Sequence, residues 1–172
     1  MKRHIVLIGL PGSGKTTVGQ LVAQRLQAGF VDIDTILVRR EGKPITMIFA
    51  EKGEAAFREM ERKEVETALA GEPAVIAPGG GWAAQPGAID TAKEHALVVY
   101  LSTRPETAAQ RAAPEGTRPL LIGEDPVVRL RQLLREREAF YKDAHAAVDT
   151  DRTAASQVAS EVIRLAQSSA GW

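Results

Sequence analysis

Apolar positions along the chain follow two rhythms. Short runs dense in Val, Ile, Leu and Ala at 4–8, 30–33, 74–77, 96–101 and 147–150 predict five buried strands. Between them the spacing lengthens. Val18, Leu21, Val22, Arg25 and Leu26 fall at i, i+3, i+4, i+7 and i+8, one face of a helix predicted over 15–27. Similar patterns predict helices over 35–41, 44–50, 54–70, 104–112, 127–144 and 153–167. Gly42 stands where a C-cap belongs, and Gly53 separates two neighbouring helices. Pro114, Gly116, Pro119, Gly123 and Pro126 make 113–126 a loop. Strands alternating with helices imply an α/β fold of three layers, a five-stranded parallel sheet with helices on both faces. No repeat, low-complexity tract or linker divides the chain, so a single domain is expected over 1–172. Such sheets bind ligands at the carboxyl ends of their strands. Three segments of unusual chemistry fall there: 9–16, 32–34 and 79–81.

Composition narrows the class. Of 172 residues, 44% are apolar and 26% charged, ordinary for a globular protein. The 22 basic and 22 acidic residues cancel, which argues against a protein that grips nucleic-acid phosphates. The absence of cysteine excludes disulfides, thiolate metal sites and cysteine nucleophiles, and His4, His95 and His145 have no metal-ligand spacing. No run approaches the ~18 apolar residues of a membrane span. The 5–10 stretch behind Lys2 and Arg3 is too short for a signal-peptide core. A cytoplasmic protein without nucleic-acid or membrane partners is expected.

The segment Gly9-Leu10-Pro11-Gly12-Ser13-Gly14-Lys15-Thr16 fits the phosphate-binding pattern G-x-x-x-x-G-K-[ST] between a predicted strand and a predicted helix. Its glycines let successive backbone N–H groups converge on phosphates, and the helix N-terminus adds a favourable dipole. In such a P-loop, Lys15 reaches the β- and γ-phosphates and the Thr16 hydroxyl ligates Mg²⁺. No Asp has Gly three residues on and the chain has no Asn, so the sequence signatures of GTPases are missing. The strand at 74–77 runs into Pro78 and glycines instead of ending on an acidic residue. The metal-facing carboxylate must come from elsewhere, and Asp32 and Asp34 are the evident suppliers. Two apart on an extended chain, they would point to the same side. Asp34 also stands where it could cap the following helix. Small size and the missing GTPase signatures favour a nucleotide-kinase-like enzyme over a switch or a motor.

Further motifs follow the P-loop: Asp32-x-Asp34, Phe57-Arg58-x-x-Glu61, Gly79-Gly80-Gly81, Arg118-Pro119-Leu120-Leu121 and Arg137-x-x-x-Tyr141. In order and spacing, over about 5–165, they resemble the shikimate kinase family. The resemblance implies phosphorylation of the 3-hydroxyl of shikimate by ATP, giving shikimate 3-phosphate and ADP in aromatic amino acid biosynthesis, by a monomeric enzyme with a mobile lid. It implies ATP contacts from Gly12, Ser13, Gly14, Lys15, Thr16 and Thr17, with Arg111 stacked on the adenine. It assigns Mg²⁺ to Thr16 and Asp32. Asp34 would orient the attacking hydroxyl and take its proton. Phosphoryl transfer has a loose transition state, so a weak base suffices.

On the same resemblance, Arg58 clamps the substrate carboxylate, steadied by Glu61, because a guanidinium fork fits a carboxylate. Arg137 is the second clamp, Phe49 and Phe57 form an apolar wall, and Gly79, Gly80 and Gly81 offer backbone N–H groups. Segment 34–61 is the expected acid-binding region and 113–126 the lid, whose Arg118 closes onto the γ-phosphate. Each arginine has a plainer reading as solvated surface charge, and each Phe as ordinary core. Trp82 stands where the family generally carries a smaller residue. It either reshapes the pocket or lies outside as a partly exposed aromatic. Rival readings are a kinase of another hydroxylated acid such as gluconate, or a silent nucleotide-binding module.

Overall fold

The computed structural model describes residues 1–112 and 125–172. Five strands, β1 (His4–Ile8), β2 (Gly29–Asp32), β3 (Ala74–Ala77), β4 (Ala96–Ser102) and β5 (Ala146–Asp149), form one parallel sheet in the order β2-β3-β1-β4-β5. Every pairing is parallel, with Ile5 beside Val75 and Leu97, and Phe30 beside Val75. All carboxyl ends therefore share one edge. The strand β1 is central, flanked by β3 and β4.

Alternation along these strands builds two cores. Val6 and Ile8 of β1, Ile76 of β3, and Val98 and Tyr100 of β4 face one side. Ile5 and Leu7, Val75, and Leu97, Val99 and Leu101 face the other. A period of two sends neighbours to opposite faces, so a strand buried on both must be apolar throughout. The second face is covered by α1 (Lys15–Leu26) and α8 (Ala155–Ser169), which supply Val18, Val22, Val158 and Val162. The first face is covered by α2 (Ile33–Glu41), α3 (Ile45–Lys52), α4 (Glu54–Ala70), α5 (Ala88–Lys93), α6 (Pro105–Ala112) and α7 (Pro126–Tyr141). Fully burying one such aliphatic side chain is worth about 1.5–3 kcal/mol. Among the described residues, no helix is long and apolar enough to cross a membrane.

Three local features differ from the sequence reading. The strand β2 stops at Asp32, and α2 begins at Ile33. Asp32, not Asp34, is the N-cap: its Oδ1 accepts the Thr35 N–H at 3.1 Å. A carboxylate just before the first turn satisfies a donor that the helix itself leaves open. Asp34 is thus in the first helical turn, and the picture of two aspartates on one extended face is corrected. Second, a 3₁₀ turn (Trp82–Ala84) and α5 lie between β3 and β4, where no helix was expected. Both are too short to produce a periodic pattern. Third, Trp82 is not a partly exposed surface aromatic: it is buried in the first core, on a turn packed against α4, α5 and α7.

Candidate active site

The floor of the site grows out of β1. After Ile8 the chain turns through 9–14 into α1, with left-handed backbone at Gly12 and Gly14. A Cβ on Gly12 would lie 2.3 Å from the Ala108 carbonyl oxygen of α6, so only glycine lets the loop sit this close. The first turn of α1 has no side-chain cap and no acidic residue. Its N–H groups and dipole face the loop, the electrostatics of an anion site. Lys15 is buried, and its Nζ donates to the Gly9 and Leu10 carbonyls at 2.7 and 2.8 Å. The ammonium is held inside the loop it serves.

Thr16 and Asp32 meet beside this floor, the Thr16 hydroxyl donating to Asp32 Oδ2 at 3.1 Å. They are the hard oxygen donors that suit Mg²⁺, which binds through one or two protein oxygens and keeps several waters. The helical turn at α2 carries Asp34 to another wall. Its Oδ1 lies 3.2 Å from the position a Cβ on Gly79 would take.

Above β3, the 79–81 turn gathers a second cluster of charged groups. A Cβ on Gly81 would lie 2.4 Å from Cζ of Arg58, and one on Gly80 would lie 2.9 Å from Nη1 of Arg137 and 3.1 Å from the Gly9 carbonyl oxygen. Gly80 therefore sits between the phosphate floor and Arg137. Its carbonyl accepts the Tyr141 hydroxyl at 2.8 Å. Arg58 donates to Glu61 at 3.0 Å and lies 5.9 and 5.5 Å from the ring centres of Phe49 and Phe57, a cation–π arrangement. Phe49 is half-buried and Phe57 buried in the core. Glu61 is 1% exposed, and burial pushes its carboxyl up to about 8, Arg58 opposing and Asp34 adding to the rise.

Arg111 stands apart from this cluster. It lines a cavity of about 240 Å³ with Ser13, Gly14, Thr17, Thr150 and Ala155. Its guanidinium is fixed by two bonds to Thr150, at 3.0 Å to Oγ1 and 2.7 Å to the carbonyl.

Comparison with known proteins relates the chain to a known family. The family model described as shikimate kinase matches residues 11–167. The shikimate kinase of Moorella thermoacetica is 44% identical, over 94% of this chain and 93% of that protein. The chain belongs to the shikimate kinase family. The solved shikimate kinase from Acinetobacter baumannii in complex with shikimate superposes with a TM-score of 0.92 at 36% identity, covering 98% of this chain and 94% of that one. A gluconokinase from Sinorhizobium meliloti has a TM-score of 0.68 at 21% identity, over 99% of this chain and 94% of that one, a likeness of fold alone.

In this shikimate kinase fold, the predicted residues separate into three groups. Asp34, Phe49, Phe57, Arg58 and Arg137 meet around 79–81, and Lys15, Thr16 and Asp32 meet at the floor. Ser13, Gly14, Thr17 and Arg111 line the cavity beside it. Arg118 and most of the expected lid lie outside the described residues. Sequence reasoning missed Thr150 and the 153–155 stretch that leads into α8, which line the same cavity. The Val148-Asp149-Thr150 strand end resembles Val31-Asp32 of β2, and that repetition was the available signal.

The Arg58–Gly81 contact supplies one prediction for this shikimate kinase. In Gly81→Ala the new methyl must displace the guanidinium. Losing one charge-assisted hydrogen bond costs about 1.5–3 kcal/mol, or roughly 10–100-fold in affinity. Steady-state kinetics should show KM for the acid rising by that factor with KM for ATP unchanged. An unchanged acid KM would separate Arg58 from the acid.

Proposed function

We propose that the chain transfers the γ-phosphoryl group of ATP to the 3-hydroxyl of shikimate, giving shikimate 3-phosphate and ADP. The observation that carries the reading is Gly80, which touches the phosphate floor on one side and Arg137 on the other. A small acid held by Arg58 and Arg137 would present its hydroxyls within reach of the phosphate that Lys15 binds. Asp34 orients the attacking hydroxyl. Its oxygen forms a bond to the γ-phosphorus as the bond to the β-phosphate bridging oxygen breaks, and the hydroxyl proton passes to Asp34.

Catalysis here is mostly positioning and charge. Thr16 and Asp32 would hold Mg²⁺, which when bound neutralises charge on the β- and γ-phosphates. Lys15 adds its own charge to the same oxygens. Phe49 and Phe57 form the apolar side of the acid pocket. Arg111, tied to Thr150 by two hydrogen bonds, stacks on the adenine, and Thr17, Ser13 and the glycines complete the nucleotide contacts. Arg118 approaches the transferring phosphoryl group as the lid, about 113–126, closes and excludes water.

The reading also includes a single domain over 1–172, supported by the one sheet that all five strands share, with an acid-binding segment at about 34–61. It makes the enzyme a cytoplasmic monomer.

The test is ADP release with MgATP and shikimate, beside gluconate and a control without acceptor. Shikimate-dependent ADP, matched by a phosphorylated shikimate product, is the expected result. ATP binding with no stimulation by shikimate overturns the substrate. Stimulation by gluconate alone transfers the reading to that acid.

A further inference from the structure

Glu61 lies where the acid wall meets the reacting centre. Its Oε1 accepts from Arg58 Nη1 at 3.0 Å. Its Oε2 is the nearest atom to a Cβ built on Gly79, at 2.7 Å, with Asp34 Oδ1 next at 3.2 Å. The charged and titratable groups that face it come from three elements. Its own helix α4 contributes Arg58, which also reaches Glu54. Asp34 comes from α2, and Arg137 and Tyr141 from α7. The 79–81 turn presents only backbone.

The charges in this pocket balance in only one way at a time. Arg58 and Arg137 are two cations. Glu54, the other carboxylate that Arg58 reaches, has its side chain 57% exposed and is screened by solvent; with Asp34 and Glu61 both ionised, the inner pocket is neutral before the acid arrives. A substrate carboxylate then adds a third anion to two cations. A buried charge without a counter-ion is far more costly than a neutral carboxylic acid. Of the two resident carboxylates, Glu61 is the more deeply buried, at 1% exposed. It also shares its cation, Arg58, with the incoming carboxylate. Burial already pushes it up to about 8.

We propose that at alkaline pH acid binding takes up a proton on Glu61, which changes there from the ion-pair partner of Arg58 into a neutral hydrogen-bonding support. This rests on the acid-binding function proposed above. Glu61 is then a positioning residue whose charge yields to that of the substrate. Below about pH 8 it is already protonated in the free protein, and binding moves no proton. Above that value the free protein has lost the proton and the complex keeps it, so affinity falls as pH rises. Between pH 7 and pH 9 the loss should be about tenfold.

Isothermal titration of shikimate into wild type and Glu61→Gln tests this, at pH 7 and pH 9, in two buffers of different ionisation enthalpy. Shikimate is fully ionised at both pH values, since a carboxyl titrates near about 4. Wild type should take up most of one proton at pH 9 and almost none at pH 7. Its affinity should be about tenfold weaker at pH 9. In Glu61→Gln, a neutral amide that still accepts from Arg58, uptake should vanish and affinity should stay level. Wild-type binding at pH 7 with no uptake at pH 9 overturns the linkage alone, whether or not the variant folds. Uptake that persists in Glu61→Gln overturns the assignment. Absence of wild-type binding at pH 7 overturns the function, and the linkage with it.

Discussion

Lys15→Ala is expected to lower turnover roughly 10³-fold, the scale at which a preorganised donor to a developing charge acts. The lysine Nζ is held at 2.7 Å from the Gly9 carbonyl and 2.8 Å from that of Leu10, at the mouth of an uncapped helix. An anion that reaches the loop meets a fixed ammonium, converging N–H groups and the helix dipole together. Alanine removes the one full charge among them. It also leaves two loop carbonyls without this donor, a loss of about 1–3 kcal/mol if water does not replace it. Thermal melting should therefore accompany the kinetics, with Lys15→Met as the variant that keeps volume and loses charge. Both variants should stay folded and lose transfer. Turnover within tenfold of wild type in Lys15→Met would remove Lys15 from the reaction.

Asp34→Asn should lower turnover by about 10²-fold, the low end of what general bases contribute. The low end applies because phosphoryl transfer leaves most of the hydroxyl proton in place until late. The amide has the same shape, can still accept a hydrogen bond, and cannot take the proton. A fall in stability is the alternative account of lost activity, and the structure limits it. The cap of α2 is Asp32, whose Oδ1 accepts the Thr35 N–H. To that helix end Asp34 adds a first-turn charge, worth about 0.3–1 kcal/mol. Asp34→Asn should thus melt within a few degrees of wild type while Asp32→Ala melts lower. Equal turnover in Asp34→Asn and wild type would reduce Asp34 to part of a helix end.

The two aspartates also show where sequence reasoning reaches its limit. Both were visible as candidates, because acidic residues at the end of an apolar strand call for a reason. Their directions were not. Strand end and helix start compete for the same residues, and the outcome turns on one hydrogen bond to Thr35. The P-loop was fully legible, since its glycines, lysine and flanking periodicities are all local. Arg137 stood out only by its spacing to Tyr141, amid Arg135, Glu136 and Glu138, a run that otherwise reads as solvated surface. Its burial comes from Gly80 and Tyr141, far away in sequence on one side and one helical turn on in the other. Trp82 posed the same problem: whether an indole faces solvent depends not only on α5, which follows it closely, but on α4 and α7, which are encoded far from it. The order of strands was likewise beyond reach, because pairing couples residues about seventy apart, as Ile5 with Val75.

The central place of β1 has a consequence for motion. Its backbone is hydrogen-bonded to a strand on each side, and all five of its residues are buried. Amides in such a strand exchange with solvent only when the whole sheet comes apart. The phosphate loop is the direct continuation of that strand. It therefore inherits the slowest fluctuations of the molecule, whereas Asp34, Arg58 and Arg137 are brought together from three separate helices, α2, α4 and α7. The nucleotide would meet a surface that is ready before it arrives, and the acid one that must still be assembled.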